Sequence, residues 1–281
     1  MADDMSGNER PLRFGTIVVV GGGCYGSYYV RQLRRAHTAG AVAWSRVLVV
    51  DRDAACALVK NGSASAEETS SDGVIVVIDE WRSFFKRYLD EASAHREAVG
   101  QDAIVPSPLM PHLMFEWLLA RARERWPERQ IDTQPLERTP EVPWQRATPN
   151  GPHYVSFAEW ICPINCIEPA TCPHTRSTRT WSLPDTARDY AAEERERGRA
   201  LAGPVIFHCT HRAYGVGMFD TREVVAGDDL IRSVAEKSAA EILVGTMSHC
   251  HGAFERLVIG PPTGSQSGTE GAATRFREQA A

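Results

Sequence analysis

The 281-residue chain has no long hydrophobic run, no basic excess and no leader-like start. Its apolar stretches stop well short of the ~20 residues that span a bilayer, so membrane insertion is not expected. The opening Met1-Ala-Asp-Asp-Met-Ser-Gly-Asn-Glu9 is acidic and polar where a secretion signal needs a basic start and an apolar centre. A cytoplasmic protein is the expectation. With a formal charge of −5 the chain has no positive field for a phosphate backbone, so nucleic acid is not an expected partner. There is no G-x-S-x-G, Walker A or H-E-x-x-H sequence, which disfavours serine hydrolases, P-loop NTPases and the usual zinc peptidases. No internal repeat is present. Seven cysteines cannot all pair, and in a reducing compartment an odd number argues against a disulfide framework.

What is there begins with an apolar strand at Thr16–Val20 that runs into Gly21-Gly-Gly-Cys-Tyr-Gly26 and then into helical spacing at Tyr29, Val30, Leu33 and Ala36. A second strand, Val47–Val50, ends on Asp51. Gly21, Gly23 and Gly26 occupy the three positions of G-x-G-x-x-G, where the chain must turn tightly, approach a pyrophosphate and pack helix on strand. Cys24 and Tyr25 lie inside the loop, with Cys24 at the expected helix start. Over residues 14–52 the chain resembles the NAD(P)-binding Rossmann superfamily, and more loosely so to about residue 135. The resemblance implies a doubly wound fold and NAD(H) or NADP(H), with FAD sharing the fingerprint. Asp51 would favour NAD by repelling a 2′-phosphate, and Arg52 would offset that repulsion.

Strand and helix patterns alternate onward, with strands at Val74–Ile78 and Ala103–Val105, a helix around Trp81–Ala94 and a longer helix carrying Leu113, Met114, Trp117 and Leu118. The expected class is α/β: a doubly wound, mostly parallel Rossmann-like sheet with a C-terminal Cys/His-rich α/β extension. Five prolines between Thr133 and Pro152 mark the expected boundary. Four segments result: a tail over 1–13, a dinucleotide-binding domain over 14–135, a Cys/His-rich domain over 136–260, and a disordered tail over 261–281. In the third, the pattern predicts strands at His153–Trp160, Pro204–Phe207, Glu241–Gly245 and Leu257–Gly260, and helices at Asp185–Arg199 and Leu230–Ser238.

Five of the seven cysteines lie beyond residue 135. Cys162-x3-Cys166-x5-Cys172-Pro-His174 is a loop stiffened by Pro163, Pro169 and Pro173, which could preset ligands at small entropic cost. The spacing matches neither the ferredoxin run nor paired zinc knuckles. A fourth ligand would come from His174, or from His208-Cys209-Thr-His211 or His249-Cys250-His251 at two strand ends. Cys162, Cys166, Cys172, His174, Cys209 and Cys250 are thus candidate ligands of a 4Fe-4S cluster or zinc, since soft thiolates suit both. The alternative is a set of buried thiols and satisfied histidines. His211 and His249 are candidate acid/base groups because imidazole titrates near neutrality. The expected function is an NAD(P)-binding redox protein, an oxidoreductase acting on a small-molecule substrate or a redox partner protein. A redox or nucleotide sensor and a metal-stabilised structural protein with a degenerate nucleotide core are the alternatives, and a homo-oligomer is left open.

Overall fold

β-Branched residues dominate the first strand, β1 (Leu12–Val20), whose last five residues are all buried. β1 pairs in parallel with β2 (Val42–Asp51) on one side and with β4 (Ala103–Val105) on the other, and β3 (Val74–Ile78) extends the parallel set beyond β2. The computed structural model describes residues 10–149, 151–158 and 162–262. Within them the chain is α/β with two six-stranded sheets and six helices. The expected tail over 261–281 lies almost wholly outside the described residues, as do Glu159 and Trp160 of the expected strand at 153–160.

The first sheet has the order β3-β2-β1-β4-β10-β9. Its last two strands, β9 (Thr210–Ala213) and β10 (Val216–Asp220), form a hairpin from far along the chain, and β10 runs antiparallel to β4. The second sheet is β6 (Trp144–Ala147), β7 (His153–Ser156), β12 (His251–Ile259), β11 (Ala240–Met247) and β8 (Leu201–His208) in that order, with β5 (Ile131–Gln134) also pairing with β12. Only β8 and β11 pair in parallel there. Strands therefore cross the expected boundary at 135 in both directions: β5 joins the second sheet, and β9 and β10 join the first.

Helix α1 (Cys24–Thr38) covers one face of the first sheet, where Val30, Leu33 and Ala36 pack on Ile17, Val19, Val47 and Val49. Short α2 (Ala57–Lys60) lies beside it. Helices α3 (Trp81–Ala94), α4 (Leu113–Arg125) and α6 (Thr221–Ala235) fill the space between the two sheets. Their core joins Phe85, Leu89, Leu118 and Ile231 to Val18 and Ile104 of the first sheet and to Phe207, Ile242 and Leu257 of the second. Each fully buried side chain of this size contributes ~1.5–3 kcal/mol. Helix α5 (Leu183–Glu196) closes the outer face of the second sheet through Leu183, Ala187 and Ala191. It is capped by Ser182, whose hydroxyl accepts from Asp185 N at 3.4 Å.

Candidate functional site

The β1–α1 loop takes the path its glycines permit. Gly21 sits at φ +85°, and a β-carbon on Gly26 would stand 1.7 Å from the Gly21 carbonyl oxygen, so the first turn of α1 rests directly on the loop. Asp51 ends β2 as expected and is buried. Its Oδ2 accepts from Gly22 N at 2.7 Å and its Oδ1 from Asp53 N at 2.9 Å. The start of α2 leans on the same loop: Leu58 N donates to Gly22 O at 2.9 Å, and a β-carbon on Gly22 would lie 2.4 Å from Cys56 Sγ. Arg52 stacks over the Trp81 ring at 5.2 Å. Cys24 is exposed at the start of α1.

A cavity of about 150 Å³ opens beside the C-terminal ends of β1 and β4, between the two sheets. Tyr25 and Tyr29 of α1 form one wall, and Pro106, Pro108 and Pro111 after β4 form another. Opposite them stand Cys162 and Cys166 of the cysteine loop, Cys209 and His211 at the β8–β9 junction, and Ser248 and His251 of the β11–β12 turn.

The thiols are close neighbours. Burial pushes the Cys162 thiol up to about 12, helped by Cys166, Cys250 and Cys172 around it and by a hydrogen bond with Cys166. Cys250 accepts from Trp181 Nε1 at 3.3 Å, and burial raises its thiol to about 11. Cys172 behaves in the opposite way. Burial works against its thiolate, yet the Thr175 N–H and hydroxyl, the His174 N–H and Arg179 outweigh that and lower its pKa. A tight loop produces this: Cys172 N donates to Ser177 O at 2.9 Å and Arg176 N to Cys172 O at 2.8 Å. Cys209 is raised to about 12 by burial, then by Glu168. Among the described residues no three His, Cys, Asp or Glu side chains form a ready-made metal-holding group, and all seven cysteines are free.

Glu168 is the hub that joins the cysteine loop to the strand ends. It sits at φ +53° immediately before Pro169, an unusual backbone for an L-residue in that position. Its carboxylate accepts from Cys250 N at 3.1 Å and His249 N at 3.3 Å, and lies 3.7 Å from His211 Nδ1 and 3.6 Å from Arg179 Nη1. Burial raises its pKa, but Ser248, His211 and His251 bring the net shift below the ordinary carboxylate value. His211 is lowered by burial, with Glu168 opposing. His249 does not line the cavity; its ring meets that of His208 edge-on at 4.6 Å. His174 is exposed on the cysteine loop.

The tertiary structure thus brings Cys162, Cys166, Cys172 and Cys250 into one neighbourhood; Cys162 and Cys166 line the cavity with Cys209 and His211, while Cys172, Cys250, His249 and His174 lie outside its wall. Tyr25 alone of the expected nucleotide residues lines it; Gly21, Gly23, Cys24, Gly26, Asp51 and Arg52 do not. Glu168, Arg179, Trp181 and Ser248 are site residues that the sequence pattern does not single out. The one available signal was an acid between the second and third cysteines of the run, next to a proline.

Fold and site together define an α/β protein whose two sheets enclose a cavity walled by thiols, histidines and a buried glutamate. The chain belongs to the AF_1314_C family, described as "Uncharacterized protein, C-terminal domain", whose model matches residues 114–260. That span runs from the start of α4 through β12 and holds every thiol and histidine of the cavity. No curated protein and no solved structure matches the chain.

Proposed function

We propose that this chain is a redox protein in which a nucleotide bound at the β1–α1 loop works beside a metal centre carried by Cys162, Cys166, Cys172 and Cys250. The observation that carries the reading is the gathering of these four thiols, three from one proline-stiffened loop and one from a turn far along the chain, beside a cavity that also reaches α1. Four thiols satisfy a 4Fe-4S cluster or zinc, and N–H donors on a sulfur, as at Cys172, are a familiar support for a ligating thiolate. The cysteines must turn in on a common centre and lose their protons to bind. A cluster, once bound, would supply one-electron transfer; zinc would supply charge or hold the loops.

The nucleotide half of the proposal is supported by a doubly wound reading of the first sheet. Its parallel order β3-β2-β1-β4 reverses direction between β1 and β4, and helices lie on both faces. Open α/β sheets bind cofactors at such a switch point, and the cavity lies there. Within it, His211 lies with Nδ1 3.7 Å from the Glu168 carboxylate, and in this reading its imidazole exchanges a proton with a substrate. Tyr25, Tyr29 and the proline-rich loop after β4 give the cavity an apolar side.

A second reading, a metal-stabilised structural protein with a degenerate nucleotide core, is favoured by one observation. Both Asp51 oxygens are engaged by backbone N–H groups of its own loops, and Cys56 packs closely against Gly22.

Anaerobic purification with an absorption spectrum, iron, acid-labile sulfide and zinc analysis tests the metal centre. Iron and sulfide in equal amounts with a broad band support the cluster, stoichiometric zinc supports the alternative metal, and neither sinks the metal reading. Quenching or enhancement of NADH and NADPH fluorescence tests the nucleotide. Turnover of the bound nucleotide with a one-electron acceptor separates an oxidoreductase from a sensor, and a His211→Ala variant with unchanged kcat and KM removes that residue from the mechanism.

A further inference from the structure

Helix α1 presents a second face. At 100° per residue, Tyr25 and Tyr29 point one way while Ser27, Arg31, Arg34 and Thr38 point the other. That other face is the floor of a separate cavity of about 570 Å³. Leu58, Asn61 and Ser63, from α2 and the loop after it, form one wall, and Tyr214 at the tip of the β9–β10 hairpin closes the opposite rim. No acidic side chain lines it.

The charges in this cavity are unevenly balanced. Arg34 is neutralised by Asp72 through Nε at 2.5 Å and Nη2 at 3.2 Å. Arg31 and Arg35 flank it, and among the described residues neither has a carboxylate partner. Arg31 lies over the Tyr28 ring at 5.3 Å; Arg35 lies over the Tyr214 ring at 5.9 Å and donates to Gln32 Oε1 at 3.0 Å. Two guanidinium groups free to bind an anion thus stand at the rim of an otherwise neutral cavity in a chain whose net charge is −5. Ser27, Asn61 and Ser63 supply neutral hydrogen-bonding groups, while Val30 and Leu58 behind them are buried in the core. Tyr214 is held out, 45 % exposed, by a two-residue turn in which it takes φ +46° and Gly215 φ +80°.

We propose that this cavity is a nucleoside diphosphate site, distinct from the β1–α1 loop. The phosphates bridge Arg31 and Arg35, the ribose hydroxyls meet the neutral polar wall, and the base lies on the exposed Tyr214 ring. The volume falls within the range of small-molecule sites and exceeds what a bare phosphate needs. Guanidinium groups match phosphate oxygens in pairs, as the chemistry of such a ligand requires. The site does not depend on the redox reading. Because the hairpin that carries Tyr214 also supplies Gly215 and Gly217 to the first cavity, a ligand here sits where it can bias that wall.

Isothermal titration of the full chain with ADP, AMP and inorganic phosphate is the test, at ~100 mM salt so that loose ion pairing is screened. ADP is expected to bind saturably, with phosphate at least ~10-fold weaker. The Arg31→Gln/Arg35→Gln double variant, changed only at exposed positions, is expected to weaken ADP at least ~10-fold, and Asn61→Trp, which fills the wall, to do the same. Asp51→Asn is expected to leave this binding within ~2-fold. No heat with ADP up to ~1 mM, an affinity unchanged in both cavity variants, or phosphate binding as tightly as ADP would each overturn the proposal. Binding lost in Asp51→Asn but kept in the arginine variant would also overturn it, and would place ADP on the glycine loop instead.

Discussion

Glu168 shows how much one side chain can organise. It leaves the ordinary backbone region, sits before a proline and offers its carboxylate to two backbone N–H groups, a histidine and an arginine. Removing a buried charged acceptor leaves those donors unsatisfied, so Glu168→Ala is expected to cost ~2–4 kcal/mol in urea denaturation. Glu168→Gln keeps one acceptor and should cost less. Equal costs would show that the carboxylate charge does not matter. Glu255 is the opposite case. It is buried on β12, and burial, reinforced by Glu116, pushes its carboxyl up from 4.5 to about 9. A folded pKa above the unfolded one means the contribution is complete below pH 4.5 and is lost as pH rises toward about 9. Glu255→Gln should therefore be more stable than the parent at pH 8 by a few kcal/mol, on the order of 3, and the difference should vanish near pH 4. Thermal melts at the two pH values check it; a gap independent of pH would refute the assignment.

Among the elements, the β1–α1 unit was legible because its signals agree. Apolar periodicity changes from a strand run to a 3.6-residue spacing at the glycines, and β3, α3 and β4 coincide with the expected spans. Gly26 is the tightest point of that unit, and Gly26→Ala should destabilise the chain by ~3 kcal/mol or more, because the added methyl meets a backbone oxygen that cannot withdraw. A melting temperature unchanged by the substitution would mean that α1 shifts freely. The elements that were not legible conflict with local rules. β9 is Thr-His-Arg-Ala and β10 contains a glycine, so neither reads as a strand. Helix α6 starts at Thr221 rather than near Leu230, because Gly227 and the acids after it look like an interruption. Its glycine instead allows close approach to β8: a β-carbon there would stand 2.8 Å from Val205. β12 starts at His251, within a polar cluster, rather than near Leu257.

Across the whole molecule, the two sheets are not independent bodies. Phe85, Leu89 and Leu118 share one core with Phe207, Phe219, Ile242 and Leu257, and β4 needs β10 as its neighbour. A fragment ending at residue 135 would expose that core and leave β4 an unpaired edge. It is expected to be aggregated or molten, with weak amide protection, whereas the full chain folds; a fragment with dispersed, protected amide signals would show that the first sheet stands alone.

Read alone, the chain determined its α/β class, the glycine loop between strand and helix, the absence of a membrane-length apolar helix among the described residues, and the enrichment of thiols and histidines after residue 135. These depend on local periodicity and composition, which act over a few residues. Only the tertiary structure decided that Cys250 joins Cys162, Cys166 and Cys172, that Glu168 ties them to the β11–β12 turn, that Asp51 faces its own loop, and that three arginines of α1 share a cavity with a hairpin tip. Those placements follow from sheet order and from the packing of helices between two sheets, which bring together residues that no spacing along the chain relates.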